Sequence, residues 1–522
     1  MKKLPFILAM GAILAQATLQ AREENAAFWH QQGQQAAQTA ADLKPDTRPA
    51  RNVILFIGDG MGISTVTAAR ILEGQLRGET GEENLLAFET LPYLALSKTY
   101  NTDTQTPDSA GTMSAIITGV KTRAGVISVD QRVQTGNCAS AKDAALTTFL
   151  EEAEDAGLST GVVSTARLTH ATPAATYAHV PDRSWEDDSR LSREARRNGC
   201  RDIARQLIEF SHGNGLEVAM GGGRRGFLPS SQADPEDQGR TGSRKDGRDL
   251  TREWLKKYPN AAYVWNRAQL EALDPKKTDH LLGLFEYSHM EYEHDRPTDA
   301  GGEPSLSEMT AKAMDILSRN PKGYFLMVEA GRIDHAHHAG NAFRALTDTI
   351  ELSNAVKLAR EKAGEDTLII VTADHSHVFT MAGYPSRGNP ILGKVDKGEG
   401  EEGHALAADG KPYTTLSYAN GRGAAMLKKG GDTRYGVPIA ADRDMDLGNI
   451  DTSDQGFHQQ ALVPLEAETH GGEDVAIYAG GPGAWLFHGV QEQNVIYHVM
   501  RRAADLNRKR QQNSGAAQLQ LP

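Results

Sequence analysis

Val53-Ile-Leu-Phe-Ile57-Gly58-Asp59-Gly60-Met61-Gly62 is the stretch from which the fold can be read. Five apolar residues without alternation read as a strand buried on both faces. A glycine turn follows, then a helical pattern from Thr65 to Leu72. Strand, glycine turn and helix in that order open a doubly wound α/β sheet flanked by helices. The glycines let the backbone approach an ion or a phosphate. The run lacks G-x-G-x-x-G spacing, and an acid after the first glycine suits a cation better than a pyrophosphate.

The pattern recurs along the chain. Tyr324 to Val328 is a second apolar run, leading into Glu329-Ala-Gly-Arg-Ile-Asp334-His335-Ala-His337-His338. Five of those ten residues are common metal ligands or proton carriers. Asp334 and His338 are four apart, so a helix puts them on one face, able to grip one ion. The plainer alternative is a solvated helix start. Thr367 to Thr372 is a third run, followed by Ala373-Asp374-His375-Ser376-His377. Gly161 to Ser164 leads to His170-Ala-Thr172-Pro, and Glu468-Thr-His470 precedes the strand Val475 to Tyr478. Asp59, Thr172, Glu329, Asp374 and His470 thus stand at the margins of five strands, where open α/β sheets place their sites. Three Asp, one Glu and several His can hold two zinc ions and a harder, oxygen-loving ion.

Between these lies Thr106-Pro-Asp-Ser109-Ala-Gly-Thr-Met, with a helix expected from about Ser109. A hydroxyl at a helix N-terminus sits in a field that favours an alkoxide and an incoming anion, although an N-cap serine is the common alternative. Residues 221–250 read as an exposed charged loop, and Ser307 to Leu317 as an amphipathic helix. Residues 383–468 lose the strand–helix alternation and read as an inserted subdomain. The α/β domain then comprises 51–382 plus 469–505, closed by a helix from Gln493 to Leu506 and followed by a polar tail, 506–522.

The chain has 522 residues and a net charge of −12, which argues against a nucleic-acid surface. Residues 1–21, with Lys2 and Lys3 before an apolar span and small residues at Ala17 and Ala21, read as a signal peptide. Export to a periplasmic or secreted location is therefore expected, with no membrane span. Residues 22–50 read as an N-terminal helix and arm. Cys138 and Cys200 allow one intrachain pairing, which would contribute about 4 kcal/mol; two buried thiols are the alternative.

Gly58-Asp59-Gly60-Met61-Gly62, Pro107-Asp108-Ser109-Ala-Gly111, His170-Ala-Thr172-Pro, Glu329 to His338, Thr372-Ala-Asp374-His375-Ser-His377 and Glu468-Thr-His470 together resemble the alkaline phosphatase family, in its animal branch. The resemblance implies hydrolysis of phosphate monoesters through a phosphoserine at Ser109. It implies one zinc ion on Asp59, Asp374 and His375, a second on Asp334, His338 and His470, and magnesium on Asp59, Thr172 and Glu329. Arg183 would clamp the phosphate, with Asp108, His170, His335 and His377 behind the ligands. It suggests a calcium site from Glu236, the Phe285 carbonyl, Glu286 and Glu303, although the spacing before Glu303 departs from the family. Cys138 and Cys200 fall where the family has a disulfide, and 383–468 resembles its crown domain at a homodimer interface. Met113 stands where animal relatives carry a smaller residue, and Thr172 replaces a serine.

Two rival readings differ in class. A sulfatase needs a C/S-x-P-x-R setting, absent around Ser109, and a phosphodiesterase would favour a threonine nucleophile without Arg183. An exported metal- or phosphate-binding protein without turnover would lack the nucleophile.

Overall fold

The computed structural model describes residues 24–426 and 445–509. The expected leader, 1–21, and the tail from 510 lie outside the described residues. The chain divides into Met1–Lys44 and Pro45–Pro522. In the first unit, helix α1 (Ala26–Asp42) is capped by Asn25, whose side chain accepts from Phe28 N.

The second unit is built on a ten-stranded sheet. Its strands are β1 (Asn52–Gly58), β2 (Tyr93–Lys98), β3 (Ser159–Arg167), β4 (Val218–Gly222), β5 (Ala261–Val264), β6 (His280–Leu284), β7 (Tyr324–Ala330), β8 (Thr367–Ala373), β9 (Val475–Gly480) and β10 (Val490–Glu492). Their order is β10-β2-β9-β8-β1-β7-β3-β4-β6-β5. Strand β9 runs against both neighbours, and the other pairings are parallel. Every residue of β1, β7 and β8 is buried, because helices cover both faces of the sheet. Val53, Leu55 and Ile57 feed one core, and Ile54 and Phe56 the other.

This order places the site. Neighbours β8, β1, β7 and β3 end side by side, so their following residues form one row along the carboxyl edge. Ile57 pairs with Glu329, Gly58 with Ala373 and Ser164 with Glu329. Because β9 is reversed, its start lies on the same edge, which brings His470 there from a distant part of the chain.

Helix α2 (Ile63–Leu76) follows the glycine turn, and α3 (Ser109–Thr118) begins at Ser109 as expected. Helix α4 (Leu306–Leu317) starts with a Ser305/Glu308 capping box. Helices α5 (Arg332–His338) and α6 (Ala342–Lys362) follow β7, and α7 (Val495–Ala503) is shorter than the Gln493–Leu506 expectation. Within 383–468, Leu416–Gly421 and Ala461–Pro464 join Phe379–Met381 in a three-stranded sheet.

The 221–250 segment is not the exposed loop expected. Arg224 and Arg244 are wholly buried. Arg224 is held by Asp234 at 2.8 Å and Glu236 at 2.7 Å, and Arg244 by Asp202 at 2.9 Å. Paired charges with satisfied hydrogen bonds can be buried, and composition alone does not reveal the partners.

Candidate active site

Helix α3 is capped by Asp108, whose side chain accepts from Ala110 N at 3.1 Å. Ser109 is therefore not the cap, and its hydroxyl is left for chemistry. Ser109 Oγ lies 3.0 Å from His375 Nε2. That same nitrogen is 3.4 Å from Asp59 Oδ1 and 3.4 Å from Asp374 Oδ2. His375 Nδ1 faces the Ser376 carbonyl at 3.2 Å, so it carries the ring proton and Nε2 presents a lone pair. One lone pair and two buried carboxylates aimed at one point repel each other unless a cation sits there. Gly60, with φ +70°, makes the turn possible: a Cβ there would stand 2.4 Å from the His377 ring.

A second convergence lies beside it. The Nε2 atoms of His338 and His470 are 3.1 Å apart, and each is close to Asp334 Oδ1, at 3.3 and 3.4 Å. Their Nδ1 atoms face the carbonyls of Glu468 (2.6 Å) and Pro107 (2.8 Å), which turns both lone pairs inward. Behind them His377 joins Asp334 (2.8 Å) to Glu468 (2.6 Å). Burial lowers the His377 pKa, but Glu468 and Asp334 outweigh it and push the group up to about 10.

A third set has a harder donor set. Both Asp59 carboxylate oxygens, Thr172 Oγ1 and Glu329 Oε1 are buried without a hydrogen-bond partner. Ser164 Oγ donates to the other Glu329 oxygen. Burial, reinforced by Asp374 and Asp334, pushes Glu329 up to about 8. Burial, then Asp374, raises Asp59 well above its ordinary value. Orphaned oxygens of this kind fit an oxygen-ligated cation, which would reverse the shifts.

Arg183 reaches this edge from the loop after β3. One guanidinium nitrogen bonds Asp108 and another meets His170 Nε2 at 3.1 Å. Asp108 also accepts from Gly125 N at 2.7 Å. Burial raises the Asp108 carboxyl, but Arg183 and the Gly125 amide together hold it below its ordinary value. The Arg183 side chain is a quarter exposed, at 26%.

The alkaline phosphatase family profile matches residues 50–506. The chain belongs to the alkaline phosphatase family. It is 45% identical over 521 residues to the tissue-nonspecific alkaline phosphatase of Gallus gallus, covering 98% of this chain and 96% of that protein. The corresponding isozyme of Homo sapiens is 44% identical, covering 96% and 93%. Among solved structures, the alkaline phosphatase of Thermus thermophilus has TM-score 0.61 at 24% identity, covering 92% of this chain and 98% of that one. The Antarctic TAB5 alkaline phosphatase has TM-score 0.57 at 21% identity, covering 88% and 99%. These last two show the fold.

The fold brings most of the expected site residues to one edge of the sheet. His337, from the first dense stretch, turns elsewhere: it meets Thr65 Oγ1 at 3.0 Å and the Tyr418 hydroxyl at 2.9 Å. His335 lies against Arg332, at 3.1 Å. In the expected calcium set, Phe285 and Glu303 are buried, and Glu236 lies within hydrogen-bonding reach of Glu286 and of Asp299. Burial, then Glu236, pushes Glu286 up to about 8 and Asp299 to about 6. Glu303 instead takes the Glu291 N–H at 2.9 Å. Asp299 is thus a further acid beside Glu236, four residues before the expected Glu303, and Ser164 and Glu468, both present in the sequence motifs, take their places beside Glu329 and His377 only in the fold. Met113 is fully buried in the core beneath α3 and accommodated there. Cys138 and Cys200 form the disulfide, with Cα atoms 6.0 Å apart. Among the described residues no helix is long and apolar enough to cross a membrane.

Proposed function

We propose that this edge of the sheet hydrolyses phosphate monoesters to alcohol and inorganic phosphate, with Ser109 as nucleophile and a phosphoserine as intermediate. The observation that carries the reading is Ser109 Oγ at 3.0 Å from His375 Nε2, at the point where Asp59 and Asp374 also converge.

Asp59, Asp374 and His375 would hold one zinc ion, and Asp334, His338 and His470 the other. Asp59, Thr172 and Glu329 would hold magnesium. When bound, the zinc ions supply the positive charge that acidifies a hydroxyl and stabilises a departing oxygen. The chain's own residues do the rest. The N-terminus of α3 favours the incoming dianion at Ser109. Arg183, oriented by Asp108, forks onto non-bridging phosphate oxygens. The Ser109 oxygen forms a bond to phosphorus as the bond to the alcohol breaks. Water then cleaves the phosphoserine, releasing phosphate and restoring the hydroxyl. Phosphoryl transfer of this kind depends mainly on positioning and positive charge.

Glu236, the Phe285 carbonyl, Glu286 and Asp299, with Glu303 behind them, would form a calcium site. Residues 383–468 would serve as a crown at a homodimer interface, and the disulfide supports residence in an oxidising, exported location. Hydrolysis of p-nitrophenyl phosphate at pH 9–10, by wild type and Ser109→Ala with and without chelator, tests the reading. Loss of activity in both manipulations supports it; full activity in Ser109→Ala overturns it.

A further inference from the structure

Beside the phosphate clamp three imidazoles gather: His170, which braces Arg183, and His289 and His335, which the reaction above does not use. Ring centroids of His289 and His335 are 4.0 Å apart, and His170 stands 5.3 Å and 5.4 Å from them. All three are half-buried. Their nitrogens are close enough to suggest a metal site. The surrounding charge argues against one. Arg183 Nη2 meets His170 Nε2 at 3.1 Å, and Arg332 Nη1 meets His335 Nδ1 at 3.1 Å. Arg167 Nη1 is against His289 Nε2, and the Arg167 backbone N–H faces His289 Nδ1 at 3.3 Å. A guanidinium only donates, so in every ring a nitrogen lone pair is already engaged. A metal ion would have to displace these donors and then sit among their charges.

The same facts favour an anion. An arginine N–H group aimed at a neutral imidazole is poorly matched, and a phosphate oxygen matches it far better. Of the acids nearby, Glu186 takes Arg167 at 2.7 Å, Asp108 takes Arg183 and Asp334 is held by His377, while Asp59 and Glu329, grouped with His170, would be held by the magnesium. Arg225, half-buried next to Arg167, has no ion-pair partner among the described residues.

We propose that His170, His289 and His335, backed by Arg167, Arg183 and Arg225, form a second anion subsite that takes a further phosphoryl group of a substrate whose reacting phosphate lies on Arg183. This inference rests on the phosphomonoester reading and deepens it toward bisphosphorylated substrates.

The test uses a matched pair, propane-1,3-diol monophosphate and propane-1,3-diol bisphosphate, with the metal-loaded full chain. The quantity read is the ratio of kcat/KM for the bisphosphate to that for the monophosphate. His289→Glu places a carboxylate among the arginines, and the ratio should fall about tenfold, as loss of one charge-assisted hydrogen bond implies. Arg225→Gln, at the rim, should lower it in the same direction and serves if His289→Glu does not fold. An unchanged ratio in the folded variants overturns the subsite. Loss of one metal ion per chain in His289→Ala, measured by elemental analysis, overturns it in favour of a metal site. Absence of monophosphate hydrolysis in the wild type would instead overturn the parent reading.

Discussion

His338 and His470 point their Nε2 atoms at each other across 3.1 Å, while both Nδ1 atoms are fixed on backbone carbonyls. Two lone pairs in that geometry, with Asp334 beside them, need a cation between them. Removing metal with a chelator should therefore lower the melting temperature as well as the activity, because ions that bind only the native state stabilise it. Differential scanning calorimetry with and without chelator, and with zinc restored, checks this. His470→Ala should lose most of the metal-dependent shift. An identical melting temperature in all samples would contradict the assignment.

Thr172 offers a cleaner test of the magnesium set. Its hydroxyl is buried without a hydrogen-bond partner, beside Asp59 and Glu329. Thr172→Val keeps the shape and removes the oxygen. Magnesium affinity should fall at least about tenfold, the scale seen when groups supporting a metal are removed. Folding should be retained, since the substitution keeps the volume of the buried side chain. Magnesium-dependent reactivation of the chelated protein gives the readout.

Arg183 is held in place by Asp108 and by His170. Arg183→Lys keeps one charge but not the fork. Inhibition by inorganic phosphate should weaken by about tenfold or more, the cost of one charge-assisted hydrogen bond. Asp108→Asn should give a smaller loss in the same direction, because the fork remains but its orientation is freer.

Away from the site, Glu154 and Glu217 share a buried pocket around Thr160, which donates to both, at 2.5 and 2.7 Å. Burial, opposed by these hydrogen bonds, pushes Glu217 from 4.5 up to about 7, and burial, then Glu217, raises Glu154. Both are raised, so the native state retains protons that the unfolded state releases. The sign is therefore loss of stability as pH rises, from about 4.5 to about 7 for Glu217, which alone accounts for on the order of 3 kcal/mol, with Glu154 acting in the same direction. Glu217→Gln should flatten that part of the curve. Urea unfolding of both proteins across the window measures the difference.

The disulfide closes a separation of 62 residues. Cys138→Ser should lower stability by about 4 kcal/mol on the chain-entropy account. Unfolding of the wild type in reducing buffer should match the variant.

Much of this was legible in the chain. Asp59, Glu329, Asp374 and His375 follow or end apolar runs, and a sheet buried on both faces makes such runs visible. The Asp334–His338 spacing needed only a helix. What stayed hidden depended on tertiary partners. Glu468 acts through the ring of His377, from 91 residues away. Asp299 joins Glu236 only after a loop folds back on it. His337 looked like a ligand in sequence, yet one turn of helix aims it at Thr65 and Tyr418. Arg224 and Arg244 looked solvent-borne because a charged residue does not announce its partner.

The central claim is that Ser109 carries the phosphoryl group. Rapid acid quench during turnover of p-nitrophenyl phosphate, followed by peptide mass spectrometry, tests it most directly. The account predicts phosphate on the peptide containing Ser109, none in Ser109→Ala, and a fall in kcat of at least about 10³-fold in that variant. Phosphate on another side chain, or undiminished turnover in Ser109→Ala, would contradict it.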